Sequence, residues 1–335
     1  MNIAEASGHV SGMKSGEGSG GHSKCQSVIV CIPTFNRPEG LRLCLDSICR
    51  QVFPADARIA VSIVVADNGD GSVASSLNGT AEQFAFPMRA IHVPDRGLCH
   101  ARNALFAEAR GKADFLALID DDEIASPSWL WSLVQTARSH DADAVIGPVF
   151  PRYEPGVASW YLMSGMEHNH PKLMRLATGA MSPKRAAHNT LIRSALLEEV
   201  PYPWFPLALN FVGSEDRAFF DRAKAMGRDR VVWCAEARVD ESIPLDRTSR
   251  AFFRKRNLQR GSSEVLAEAL FRQMPGGHAP ARWKGYVRTV AVFAKAVLLS
   301  PCLLSPTYRY RCLRPMFYAV GRLHGHVGNK QELYK

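Results

Sequence analysis

Four consecutive carboxylates, Asp120-Asp121-Asp122-Glu123, follow directly on the apolar run Phe115-Leu-Ala-Leu-Ile119. Held together in a folded chain, four acids raise one another's pKa unless a cation sits among them. A hard divalent ion, Mg²⁺ or Mn²⁺, takes oxygen ligands and can bridge to the phosphates of a nucleotide. A solvated acidic turn leading into a helix cap is the alternative, as acid runs commonly are. Position speaks for the cation, because ligands bind at the carboxyl ends of strands in open α/β sheets. Two more acidic places accompany the cluster. Asp67, in Ala66-Asp67-Asn68-Gly69-Asp70-Gly71, ends an apolar run among residues tolerant of unusual backbone angles. Gly213-Ser214-Glu215-Asp216 sets an acid pair in the first turn of a helix that Ser214 can cap. An ordinary helix start reads the same way.

The elements needed to hold these acids alternate along the chain. Apolar runs at residues 27–33, 59–65, 88–93, 115–119, 144–147 and 231–234 predict buried strands. Between them, Leu41, Leu45, Ile48 and Val52 recur at helical spacing, with Pro38 suited to the first turn. Residues 98–110, with Arg102 and Asn103 near the start and Gly111 as the stop, predict a second helix, and residues 127–139 a third. Such alternation implies parallel βαβ units and a doubly wound sheet. Residues 151–190 are irregular and rich in aromatic, Met, His and Pro positions, the composition of a binding segment. Residues 187–191 read as a strand entering a helix near Arg193. Residues 250–271 form a basic helix carrying Arg254, Lys255, Arg256 and Arg260. Residues 283–304 are the most apolar part, broken by Lys295 and Pro301 and flanked by Trp283, Tyr286, Arg288 and Tyr308. They suit an interfacial or re-entrant membrane helix, or a helix docked on the domain.

Charge is spread unevenly. Of 41 Lys and Arg and 32 Asp and Glu, residues 247–335 hold 17 and 3, leaving 24 and 29 elsewhere. The net charge of +9 therefore belongs to the C-terminal quarter. That asymmetry predicts an anionic partner surface: nucleic acid, acidic membrane or pyrophosphate. The eight cysteines show no metal-ligand spacing, which fits a reduced, cytoplasmic chain without structural zinc. Residues 1–24, rich in Gly, Ser and His without an apolar core, predict a disordered leader and not a secretory signal.

Ile32-Pro33-Thr34-Phe35-Asn36-Arg37, Asp67, Gly97-Leu98 with Ala101-Arg102-Asn103, Asp120-Asp121-Asp122-Glu123 and Gly213-Ser214-Glu215-Asp216 follow one another as in family 2 glycosyltransferases. The resemblance spans roughly residues 27–235 and is nearest to bacterial exopolysaccharide members, the glucosyltransferases of succinoglycan assembly among them. The Gln-x-x-Arg-Trp signature of processive synthases is missing. The resemblance implies a Rossmann-like, A-type nucleotide-diphospho-sugar transferase fold over residues 25–240, nucleotide half 25–123 and acceptor half 124–240. Residues 241–335 would be a basic, helical, membrane-associating extension.

It further implies an inverting sugar transfer from a nucleotide donor, a UDP-sugar by preference, to a lipid-linked saccharide at the cytoplasmic face of the inner membrane. Pro33, Thr34, Arg37, Asp67, Arg102, Asp120 and Asp121 would bind nucleotide. Asp122 and Asp120 would hold Mn²⁺ or Mg²⁺, with Asp121 and Glu123 able to share that role. Asp216 would be the general base, with Glu215 as rival. His188 and Asn189 would contact sugar, and Arg256 and Arg260 the pyrophosphate. No nucleic acid is expected. A sugar-phosphate nucleotidyltransferase would carry a Gly-rich loop after the first strand, and residues 33–38 contain no glycine. A nucleic-acid-binding protein would leave both acid motifs without a role.

Overall fold

The computed structural model describes residues 25–166, 172–273, 281–306 and 308–332; the expected leader lies outside them. Strands β1 (Gln26–Thr34) and β2 (Ile59–Asp67) run parallel, with Thr34 opposite Asp67. β3 (Met88–His92) pairs with β2, and β4 (Phe115–Leu118), buried at every position, pairs with β1. All four point their carboxyl ends one way, so Thr34, Asp67 and Asp120 gather at one edge.

Two strands interrupt the simple winding. β5 (Glu123–Ala125) leaves the main sheet directly after the acids, and β6 (Ala144–Ile146) returns to it. β7 (Val149–Tyr153) then leaves again, β8 (Thr190–Arg193) enters between β4 and β6, and β9 (Val231–Trp233) closes the edge. The main order is β3-β2-β1-β4-β8-β6-β9, with β8 antiparallel to both neighbours. The sheet is thus mixed where uniform βαβ winding was expected. A parallel entry needs a crossover connection, and the long segment before β8 brings the chain in from the opposite end. β10 (Val239–Ile243) joins β5 and β7 in a second sheet of order β5-β10-β7. This small sheet was not anticipated: three residues headed by an acid carry no readable alternation.

Helices cover both faces. One core packs α1 (Pro38–Cys49), α2 (Ser72–Gly79) and α4 (Trp129–Ser139) through Leu41, Leu45, Ile48, Ala74 and Trp129. The other packs α3 (Leu98–Ala109), the short α6 (Leu196–Glu199) and α7 (Glu215–Ala225). Its centre is Phe106, edge-on to Trp204, Phe205 and Phe219 at 5.8, 4.9 and 5.6 Å. Residues 187–189 are loop; only Thr190 onward is strand.

The C-terminal part is helical, as read: α8 (Arg250–Gln273), α9 (Arg282–Leu298) and α10 (Arg309–His326), with the single-turn α5 (Ser159–Leu162) bringing Trp160 against Tyr310 and Phe253. α8 and α10 approach at glycines: a Cβ on Gly261 would stand 2.1 Å from the Tyr318 carbonyl oxygen, and one on Gly321 2.0 Å from that of Leu258. α9 buries only Gly285, Thr289 and Ala296. Trp283, Val287, Val290, Val297 and Leu298 stay exposed. Among the described residues no helix is long and apolar enough to cross a membrane.

Candidate active site

The acids at the end of β4 are not equivalent. Asp121 is buried; its carboxylate accepts a hydrogen bond from Thr34 Oγ1 (2.8 Å) and pairs with Arg37 (3.1 Å). Glu123 is also buried, accepting from the Asp120 backbone N–H (3.0 Å) and meeting His188 Nδ1 at 2.8 Å. Both acids are thus engaged in holding the loop, whereas Asp120 and Asp122 face arginines. Burial pushes Asp120 up to about 7 against the opposing pull of Arg102. Burial and Glu241 push Asp122 up to about 6, opposed by Arg37 and Arg247. The Asp122 carboxylate pairs with Arg37 at 2.7 Å and Arg247 at 3.3 Å.

Arg102 joins the two halves. Fully enclosed on α3, its guanidinium donates to Glu215 (2.8 Å) and stands 3.5 Å from Asp120. The start of α7 is thereby tied to the end of β4. Burial and Asp216 raise the Glu215 pKa, and Arg102 opposes them. With Glu215 bound to Arg102, Asp216 is the acid of this pair without a side-chain partner among the described residues. Ser214 does not cap α7 with its side chain, as had been expected; it adopts a left-handed conformation (φ 66°) and bonds Ser263 Oγ at 2.8 Å.

Other expected contacts are redistributed. Asp67 is buried, and its two oxygens accept from the Gly69 and Ala74 N–H groups (2.9 and 3.0 Å), organising the loop into α2. Asn189, expected at a sugar, is wholly buried: it accepts from Trp129 Nε1 (2.8 Å) and donates to the carbonyls of Pro148 and Ala237 (2.7 and 3.0 Å). Its amide staples the two sheets and leaves no group for a ligand. His188, its neighbour, is only partly covered, and Glu123 holds its pKa above the usual histidine value although burial pulls down. Arg256 lies in the field of Glu215, while Arg260 stands 3.7 Å from Glu264. Pro33 and Thr34 close β1, as expected.

Three features escaped sequence reading. Arg247 reaches Asp122 across 125 residues because β10 lays the following turn beside the acids. Arg96 lies 4.7 Å over the exposed Phe35 ring, a flat cationic surface beside Asn36. Asn68 ties two loops, accepting from the Gly97 N–H (2.6 Å) and donating to the carbonyls of Val93 and Asp95. An Asn-Gly turn was readable; its partners 25 to 29 residues on were not.

Among the described residues no three His, Cys, Asp or Glu side chains stand close enough to hold an ion alone. Asp120 Oδ1 is buried without a hydrogen-bond partner, although the Arg102 guanidinium stands 3.5 Å from it. The carboxylates of Asp120 and Asp122 would suit a hard ion, which would take phosphate oxygens and water as further ligands.

Residues 29–200 match the model described as Glycosyl transferase family 2. The chain belongs to this family. Over 309 residues it is 32% identical to Succinoglycan biosynthesis protein ExoM of Rhizobium meliloti (strain 1021), covering 89% of this chain and 92% of that protein. It is 21% identical over 141 residues to Glycosyltransferase GlyG of Streptococcus pneumoniae serotype 4, covering 42% and 44%. A mannosyltransferase of Pyrobaculum calidifontis, solved with GDP-Man and Mn²⁺, shares the fold at TM-score 0.61 and 18% identity, covering 92% of this chain and 89% of that one. The family 2 chain described here is therefore a glycosyltransferase with an A-type fold and a helical C-terminal region.

Proposed function

We propose that this family 2 enzyme moves one sugar, with inversion, from a nucleotide-diphosphate donor, UDP-linked by preference, to a lipid-linked saccharide during succinoglycan-type polysaccharide assembly. The Arg102 bridge supports the reading: it ties Asp120 to Glu215 at the start of α7, next to Asp216. In-line attack needs a base on the face away from the leaving diphosphate. Asp216 takes the acceptor hydroxyl proton as that oxygen bonds the anomeric carbon and the bond to the diphosphate breaks. A divalent ion between Asp120 and Asp122 would neutralise charge on the leaving diphosphate. Arg37 and Arg247, already beside Asp122, stand ready to pair with that phosphate. Arg96 over Phe35 suits stacking under a base, and His188 is the sugar contact. Asp67 acts on the nucleotide by holding the loop after β2. The relative's succinoglycan name and the neighbour's GDP-Man and Mn²⁺ support the substrate class. The exposed apolar stripe of α9, beside Arg282, Lys284 and Arg288, supports peripheral contact with the anionic cytoplasmic face of the inner membrane.

Calorimetric titration with UDP and GDP, each with and without Mn²⁺, tests the donor. Manganese-dependent binding of one nucleotide is expected; failure of both with folded protein overturns the reading.

A further inference from the structure

A second concave site, of about 450 Å³, opens beside α7. Pro183 and Phe220 wall it, together with Lys184 and Arg185 from the loop before β8, Arg217 and Lys224 from α7, and Arg260 from α8. Asp221 and Asp229 are the acids in the lining, so positive charge is in excess. Arg217, Phe220, Asp221 and Lys224 follow at helical spacing, so one face of the helix that begins with the Glu215-Asp216 pair forms the wall.

These charges are unequally engaged. Arg185 and Lys224 share Asp229, at 2.7 and 2.5 Å, and Arg217 pairs with Asp221 at 3.3 Å. Arg260 reaches Glu264 at 3.7 Å and is largely exposed. Among the described residues Lys184 makes hydrogen bonds only through its backbone. Its half-buried ammonium feels Glu123, Glu241 and Asp216 without touching them, and burial lowers its pKa below the usual lysine value. A partly buried ammonium without a contact partner loses some hydration, and an anion in the groove would offset that loss.

We propose that this groove binds the phosphoryl group joining the acceptor saccharide to its lipid, with Lys184 and Arg260 as the contacts. The inference rests on the lipid-linked acceptor reading and deepens it. A phosphate held there would lay the saccharide along α7 and turn its hydroxyl toward Asp216. With five basic side chains against two acids in its lining, the groove favours an anion over a neutral saccharide. An acidic sugar could pair with them, so the probes must separate phosphate from carboxylate.

The test titrates the full chain, saturated with Mn²⁺ and whichever of UDP or GDP it binds, with geranyl diphosphate; the filled donor site then cannot take the probe. Binding is expected in the wild type. Lys184→Ala and Arg260→Glu should each weaken it about tenfold, the worth of one charge-assisted hydrogen bond; a loss of nucleotide affinity in Arg260→Glu would instead put Arg260 on the donor pyrophosphate and overturn its place in the groove. Arg260 is exposed on a helix, so its variant keeps the fold if Lys184→Ala does not. Geranyl glucoside should not bind. Equal geranyl diphosphate affinity in wild type and variants, no binding at all, or glucuronate binding as tightly would each overturn the proposal. Loss of nucleotide binding in the wild type is a separate failure, that of the transferase reading; geranyl diphosphate titrated without nucleotide still decides the groove.

Discussion

Glu215 and Asp216 are adjacent, yet their surroundings differ. Glu215 is bound to a buried arginine, whereas Asp216 has no side-chain partner among the described residues. Asp216→Asn is expected to bind nucleotide as wild type does and to lose about 10²- to 10⁴-fold in turnover, the range of a general base. Glu215→Gln would leave Arg102 partly uncompensated and cost about 3–5 kcal/mol of stability. Urea unfolding beside a transfer assay separates the two, and wild-type turnover by Asp216→Asn would remove it as base. Asn189→Ala should behave differently again. It leaves the Trp129 indole and two carbonyls unpaired, costing about 1–3 kcal/mol, with no change in KM for the donor beyond that of the destabilised fold. A selective rise in KM with stability intact would restore Asn189 to the sugar site.

The loop between β4 and β5 is an element held under electrostatic strain. Asp120 and Asp122, pushed to about 7 and about 6, hold protons where the unfolded chain, with carboxyls near about 4, has lost them. Proton binding is thus greater in the folded state between those values, so metal-free stability falls as pH rises from about 4 to about 7. Melting temperatures across that range should decline, and Mn²⁺ with nucleotide should flatten the decline. A metal-free melting temperature that rises through this range would contradict the burial of these acids. Asp122→Ala is expected to retain the fold while losing the manganese dependence of nucleotide affinity, measured by calorimetry. The small sheet matters for the same loop: through β10 it brings Arg247 against Asp122.

At the scale of the molecule, the basic C-terminal quarter divides into an ionic interior and an apolar exterior. Fully buried Arg322 of α10 stands 3.6 Å from Glu264 and 3.8 Å from Glu268 of α8. Arg217 of α7 and Arg288 of α9 meet the same two acids. Four helices, including α7, which begins at Glu215 and carries Asp216, are therefore joined at one ionic centre. Deleting residues from 281 onward should release the protein from anionic vesicles, but it also strips α10 from Gly261 of α8. Val290→Glu with Val297→Glu is the cleaner variant, since both side chains are exposed. It should abolish vesicle sedimentation with little effect on melting temperature, while added salt weakens wild-type binding. Unchanged sedimentation of the double variant would exclude the α9 face.

The main strands and helices were legible because their cause is local: buried strands are uniformly apolar, and α1 repeats Leu41, Leu45 and Ile48 at helical spacing. The order of motifs was enough to point to the family, because Thr34 and Asp67 end, and Asp120 closely follows, three neighbouring strands of one sheet. Roles within the motifs were not legible. Asp120 through Glu123 are alike in the chain, and only partners brought from elsewhere distinguish them: Thr34 and His188 hold Asp121 and Glu123, while Arg102 faces Asp120 and Arg37 and Arg247 face Asp122. Asn189 beside His188 looked like a second ligand contact until burial against Trp129 showed a staple. Pattern along a chain reports what a residue prefers, whereas tertiary contacts across as many as 125 residues determine which of its hydrogen bonds are already made.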